Sequence, residues 1–225
     1  MKVCLVFRGD TYRGPHADVN RKYIDILMCW DNLKKTLLDD LTNNGHEYEI
    51  AFITYPNEFI KKIIEVINPK HIKLYNKEVQ SKNFGDVITF MQETKHDYDR
   101  FVILRCDFRY KIRITHWPKW EKKGIFIVNK DVTWPSSKLY ADVMFMVDSY
   151  EIDTFERAHY LSVFNETIHG LGRYLYVNNI PFHLMYEDYY HMNNHPMQSL
   201  ASLEDDPDID NPIYIEPIRD VSQWN

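Results

Sequence analysis

The chain has 225 residues, 44% hydrophobic and 15% aromatic, enough to fill one sizeable core; disorder, collagen and coiled coil are excluded and one domain fits better than two. Lys and Arg total 27 against 33 Asp and Glu, a formal net charge of −6, so the basic footprint of a nucleic-acid binder is missing and any phosphate must be held locally. None of the 7 glycines forms a GxGxxG or a P-loop, which removes the two commonest nucleotide fingerprints.

Val3 to Phe7 is a continuous apolar run of the kind buried on both faces of a sheet. It is ended by Arg8, Gly9 and Asp10, too short for a secretory core, and no stretch approaches the roughly 18 apolar residues of a membrane span. From about Asp18 to Leu41, apolar residues at helical spacing predict one long amphipathic helix, stopped at Asn44-Gly45. Tyr48 to Thr54 returns to strand, a helix runs through Ile60, Ile63, Ile64 and Ile67, and His71 to Tyr75 is a third strand. Phe84 to Thr94 predicts a helix and Phe101 to Leu104 a fourth, strongly apolar strand. This alternation implies an α/β, Rossmann-type three-layer fold: a mostly parallel central sheet with helices on both faces.

The second half is less regular. Ile125 to Val128 and Ala141 to Val147 predict strands, with Trp117, Trp120 and Trp134 in the polar connections around them, and Asn165 caps a helix through Ile168, Leu171, Leu175 and Tyr176. The sheet is therefore expected to be mixed towards its far edge. From Ser199 onward the chain is acidic and broken by prolines, like a surface tail. Cys4, Cys29 and Cys106 are far apart, odd in number and set among apolar residues, which predicts buried thiols in a reducing compartment.

Ligands of open α/β sheets bind beyond the carboxyl ends of the strands. Two such places carry charge. At the first, Arg8-Gly9-Asp10 and Arg13 offer a close backbone approach and two guanidinium groups for a diphosphate; the plainer reading is a tight turn with solvated charges. At the second, Arg105-Cys106-Asp107-Phe108-Arg109-Tyr110-Lys111 offers a carboxylate suited to a divalent metal or a ribose hydroxyl; the plainer reading is an Arg105 to Asp107 ion pair that closes the strand. His169, His183, His191 and His195 form a looser group. His191 and His195 have zinc-like spacing, but Asn193-Asn194 and Pro196 argue for a loop. Among Trp117, Trp134, Tyr186, Tyr189 and Tyr190, Trp134 is the candidate stacking residue, since it precedes a proline in a loop.

The run from Asp97 to Lys111, with the strand-one Arg8-Gly9 and the Asp142 that opens a later apolar strand, resembles GT-A-type glycosyltransferases of large DNA viruses. The resemblance implies a GT-A-like catalytic domain over 1–198, with a nucleotide-binding half at 1–115, an acceptor half at 116–198 and a tail at 199–225. It implies transfer from a UDP- or GDP-sugar donor to a glycan or protein acceptor, with manganese or magnesium; the expected location, read from the lack of a targeting signal or span in the sequence, is the cytoplasm (the host's, for a viral source). Arg8, Gly9, Asp10, Arg13, Arg105, Arg109, Lys111 and Trp134 would line the donor pocket. Asp107 would contact the metal or the ribose, His169, His183 or His191 would reach the metal or diphosphate, and Asp142 is the candidate base. The chain departs from the family's Asp-x-Asp at Arg109, which would repel a cation. The literal strings Asp97-Tyr98-Asp99 and Asp208-Ile209-Asp210 lie at the wrong strand end and in the tail. Two other outcomes stay open: a non-catalytic binding module of the same fold, and a histidine-ligated metal hydrolase.

Overall fold

The structure is a computed structural model that describes residues 1–9, 11–13, 24–76, 80–106, 108–110, 112–130, 139–142, 144–163, 168–185 and 215–217. Its strands are β1 (Lys2–Gly9), β2 (Tyr12–Arg13), β3 (Ile24–Asp25), β4 (Glu47–Thr54), β5 (His71–Leu74), β6 (Arg100–Arg105), β7 (Phe108–Tyr110), β8 (Ile125–Ile127), β9 (Met144–Asp148), β10 (His183–Leu184) and β11 (Ile215–Pro217). The α-helices are α1 (Trp30–Leu33), α2 (Asp39–Asn43), α3 (Ile60–Ile67), α4 (Gln80–Thr94), α5 (Ile152–Val163) and α6 (Gly170–Val177).

Seven strands form the central sheet in the order β10-β8-β9-β6-β1-β4-β5. β1 runs parallel to β4 and β6, and β9 runs antiparallel to both β6 and β8, so the mixed part belongs to the second half of the chain. Period-two alternation divides the interior into two cores. Val3, Leu5, Phe7, Val102, Leu104, Phe126 and Val128 face the first, which the 26–43 segment and α3 cover. Cys4, Val6, Phe101, Ile103, Ile125 and Ile127 face the second, beneath α4, α5 and α6. All three cysteines are buried thiols.

The predicted long helix from Asp18 is corrected. Ile24 and Asp25 pair antiparallel with Tyr12 and Arg13, and the helical path begins at Ile26, whose N–H donates to Thr11 O at 3.0 Å. That path is not uniform: a 3₁₀ turn (Ile26–Cys29) precedes α1, and a π segment (Lys34–Leu38) joins α1 to α2. Thr36 Oγ1 donates back to Asn32 O at 2.7 Å, a local bond of the kind that perturbs regular helix, and the wider turn keeps Leu33, Leu37, Leu38 and Leu41 in the core. The stop at Asn44-Gly45 is a Schellman closure. Gly45 takes φ +73°, its N–H reaches Thr42 O at 3.0 Å, and His46 N–H reaches Leu41 O at 2.9 Å.

Trp117 and Trp120, expected in a polar connection, are buried in the first core. Trp117 lies against the Tyr110 ring at 5.5 Å and donates its Nε1–H to Ile112 O at 3.0 Å, so it is no ligand platform. Residues 215–217 of the acidic segment return to the domain, with Ile215, Glu216 and Pro217 paired to Tyr110, Arg109 and Phe108. Asn32 in turn clamps β7 with both atoms of its amide, donating to Tyr110 O at 2.9 Å and accepting from Tyr110 N at 2.8 Å. No helix among the described residues is long and apolar enough to cross a membrane.

Candidate active site

Strand order places the switch point of the sheet between β1 and β6: from β1 the chain moves outward to β4 and β5, then returns to β6 on the other side of β1. Arg8 and Arg105 are register partners at the carboxyl end of this pair. Alternation places both on the face of the second core, beside Val6 and Ile103. Because β9 runs antiparallel to β6, the residues that lead into β9 arrive at the same edge, and Asp142 is among them.

The Asp142 carboxylate is buried and shared. Arg8 Nη2 lies 3.4 Å from Oδ2, Arg105 Nη1 3.6 Å from Oδ1, and His169 Nε2 3.9 Å from Oδ1. Arg8 also donates to the Asp142 backbone oxygen, and its guanidinium lies over the Phe84 ring of α4, 5.1 Å from the centroid. Burial alone would raise the Asp142 pKa; the positive charges of Arg105, Arg8 and His169 prevail and bring it down to about 2. Asp142 is therefore an anion at neutral pH. Side-chain exposure separates its partners: Arg8 retains 7%, Arg105 16% and His169 28%. Arg8 is walled in, whereas Arg105 and His169 form the open side.

His169 enters from the residue before α6. It exchanges two hydrogen bonds with Tyr140: its Nδ1–H donates to Tyr140 O at 2.8 Å, and Tyr140 N–H donates to His169 O at 3.3 Å. The first bond fixes Nδ1 as a donor and turns Nε2 towards Asp142. Gly172 makes the approach of α6 possible, since a Cβ there would stand 2.6 Å from the Tyr140 ring and 2.8 Å from Ile127 Cδ1. Gly9 serves a different need. Its φ of +89° is a conformation side chains disfavour, while a Cβ would meet nothing within 4 Å, and its carbonyl accepts from Thr54 Oγ1 at 2.5 Å.

Of the residues singled out from the sequence, Arg8, Gly9, Arg105, Asp142 and His169 share this edge. Arg105 pairs across the sheet with Asp142. The positions of Asp10, Asp107, Lys111, Trp134 and His191 lie outside the described residues, as do those of His195, Tyr186, Tyr189 and Tyr190. Arg13 and Arg109 are placed by backbone alone, in β2 and β7. His183 sits in β10 against the Phe126 ring at 5.0 Å. Asp99 lies at the opposite edge and accepts from Lys2 N at 2.6 Å, so the Asp97-Tyr98-Asp99 string is away from the site. Sequence reasoning missed Phe84 and Tyr140 as parts of this site, since neither carries a motif.

No family model matches the chain, and no curated protein matches it. Among solved structures, the chain is similar to one from Desulfovibrio desulfuricans G20 described as a nucleotide-diphospho-sugar transferase, with 12% identity, TM-score 0.45, and coverage of 83% of this chain and 80% of that one. It is also similar to a glycosyltransferase involved in glycosylation of the major capsid of PBCV-1, with 11% identity, TM-score 0.43, and coverage of 80% and 81%.

A divalent metal does not fit the residues described. No three of His, Cys, Asp and Glu converge among them, and the His–carboxylate contact at this edge, His169 with Asp142, is flanked by two guanidinium groups that repel a cation. What the arrangement offers is an anion held between cations, with Arg105 as a planar, partly exposed donor.

Proposed function

We propose that the protein is a nucleotide-sugar glycosyltransferase whose donor, a UDP- or GDP-sugar, lies across the carboxyl edge of β1 and β6, and whose acceptor is a glycan or protein hydroxyl. The observation that carries the reading is the placement of register-paired Arg8 and Arg105 around Asp142 at the switch point of the sheet, where α/β folds hold nucleotides. The two similar structures are transferases by description, but the reading stands on this site.

The residues take distinct parts. Arg105 forks onto the diphosphate and neutralises the charge that grows on the leaving group. Arg8, buried and bonded to both the backbone and side chain of Asp142, is a positioning residue. Asp142 is a weak base while two guanidinium groups face it. When Arg105 turns to the diphosphate, the carboxylate loses a countercharge and its basicity rises, which suits a proton acceptor that acts only with donor bound. The acceptor oxygen then bonds to the anomeric carbon, the bond from that carbon to the diphosphate oxygen breaks, and the hydroxyl proton passes to Asp142.

Isothermal titration with UDP, GDP and their hexose derivatives, with and without manganese, tests the reading. One nucleotide series is expected to bind, and Arg105→Ala to weaken it by at least about tenfold, the worth of a charge-assisted hydrogen bond. Failure of every nucleotide to bind overturns the proposal. Binding with neither transfer nor donor hydrolysis would make the protein a binding module instead.

A further inference from the structure

Next to the cluster stands a polar side chain with no part in that chemistry. Asn129 comes after β8 and is 5% exposed, and its Oδ1 is fully shielded with no hydrogen-bond partner among the described residues. A buried amide oxygen left unmet destabilises the folded chain, which an apolar residue of the same shape would not do. Its place is well defined. The Asn129 backbone oxygen accepts from Ala141 N at 3.0 Å, tying it to the residue before Asp142, and Lys130 bridges to Tyr140, the partner of His169. Phe126 and Val128 belong to the first core and Ile125 and Ile127 to the second, so alternation places Asn129 on the face that holds Arg8 and Arg105.

We propose that Asn129 determines sugar specificity, its side-chain amide accepting a hydrogen bond from a hydroxyl of the transferred sugar. The assignment rests on the donor site proposed for the β1–β6 edge. A carbonyl oxygen can be met only by a donor, which excludes the oxygens of an ionised diphosphate and leaves a hydroxyl or a base N–H. Position favours the hydroxyl. β8 stands three strands from β1, about 14 Å at the usual strand spacing, and Asn129 borders Asp142, where the sugar reacts, rather than the β1–β6 ends that would hold the phosphates. A buried acceptor of this kind discriminates strongly, because an analogue lacking the hydroxyl leaves it unmet.

The test titrates the unaltered protein, Asn129→Leu and Asn129→Ala with the free nucleoside diphosphates, their hexose derivatives and the monodeoxy analogues of the hexose that binds best. Both variants are expected to bind free nucleotide within about twofold of the unaltered protein and the intact donor about tenfold more weakly. The preference for the full sugar over one deoxy analogue should vanish with them. Without ligand, Asn129→Leu should melt no lower than the unaltered protein, because the amide oxygen it removes is unmet. Equal losses for nucleotide and donor, an unchanged donor affinity, or a melting point lowered by several degrees would each overturn the assignment. If the unaltered protein binds no nucleotide, the donor-site reading fails and this assignment falls with it; nucleotide binding indifferent to Asn129, with donor binding equally indifferent, overturns the assignment alone.

Discussion

The β6–β9 ladder has an arginine and an aspartate at each end. At the amino end of β6, Arg100 meets its register partner Asp148 with Nε to Oδ1 at 2.7 Å. The rest of the guanidinium donates to Trp120 O and, at 2.5 Å, to Lys122 O, while Gly124 N donates to Asp148 Oδ2 at 2.7 Å. Trp120 and Phe126 close over the cation at 5.1 and 5.4 Å. At the carboxyl end, Arg105 and Asp142 stand 3.6 Å apart, Arg8 and His169 share the same carboxylate at 3.4 and 3.9 Å, and two of the three basic side chains reach the surface. The first pair is closed and saturated, as a structural ion pair must be to offset its desolvation. The second is long and open on one side. The same two residue types in one ladder thus serve the fold at one end and leave room for chemistry at the other.

The largest expected effect strikes the closed end. Arg100→Met strips a buried carboxylate of its partner and leaves two carbonyls without their donor, which should cost about 3–5 kcal/mol in urea unfolding. Nucleotide binding by the fraction that remains folded should be unchanged. A loss below about 1 kcal/mol would erase the distinction between the ends.

Asp142→Asn should cost less and differently. The folded-state pKa of about 2 lies below the ordinary value of 3.8, with burial raising it and Arg105, Arg8 and His169 lowering it more. The stabilisation this confers, about 2 kcal/mol, is complete above pH 4 and is lost as the pH falls through 2. The gap between the two proteins in urea unfolding should therefore be near 2 kcal/mol at pH 7 and close towards pH 2. Glu49, also held near 2, contributes to both proteins and cancels. Transfer should fall by at least about a hundredfold while nucleotide affinity holds or rises, since a competing anion has been removed from Arg105. A gap that persists to pH 2 would place the effect in packing.

Much of the frame was readable from the sequence because burial on two faces writes itself as uninterrupted apolar runs: β1, β4 and β6 lie where Val3, Ile50 and Phe101 open such runs. α5 was not readable, since its inward face includes His159 and Ser162, whose burial interrupts the apolar period. The carboxyl-end positions of Arg8 and Arg105 were readable because each closes an apolar run with a charge. The partner was not. Asp107 is the neighbour in sequence, but the antiparallel return of β9 brings Asp142 to Arg105 across 37 residues of chain, a pairing fixed by topology. Asn129 has no pattern at all, because an unmet amide becomes visible only once its surroundings are known.

The smallest effect separates position from charge at the open end. His169→Asn keeps a side-chain N–H close to where Nδ1–H meets the Tyr140 oxygen, and removes the Nε2 that faces Asp142. If His169 serves mainly to join α6 to Tyr140, the Asn variant should match the unaltered protein in both stability and binding. If it belongs to the ligand-facing side, stability should stay within about 0.5 kcal/mol while nucleotide affinity falls about threefold. The His169 side chain retains 28% exposure, against 3% for Arg100 in the closed pair, which favours the second outcome. His169→Gln is the complementary probe, because its longer amide reaches towards the Nε2 position and forfeits the Tyr140 bond. A larger stability loss from Gln than from Asn, with the larger affinity loss from Asn, would assign the two ring nitrogens separate duties, one to the fold and one to the site.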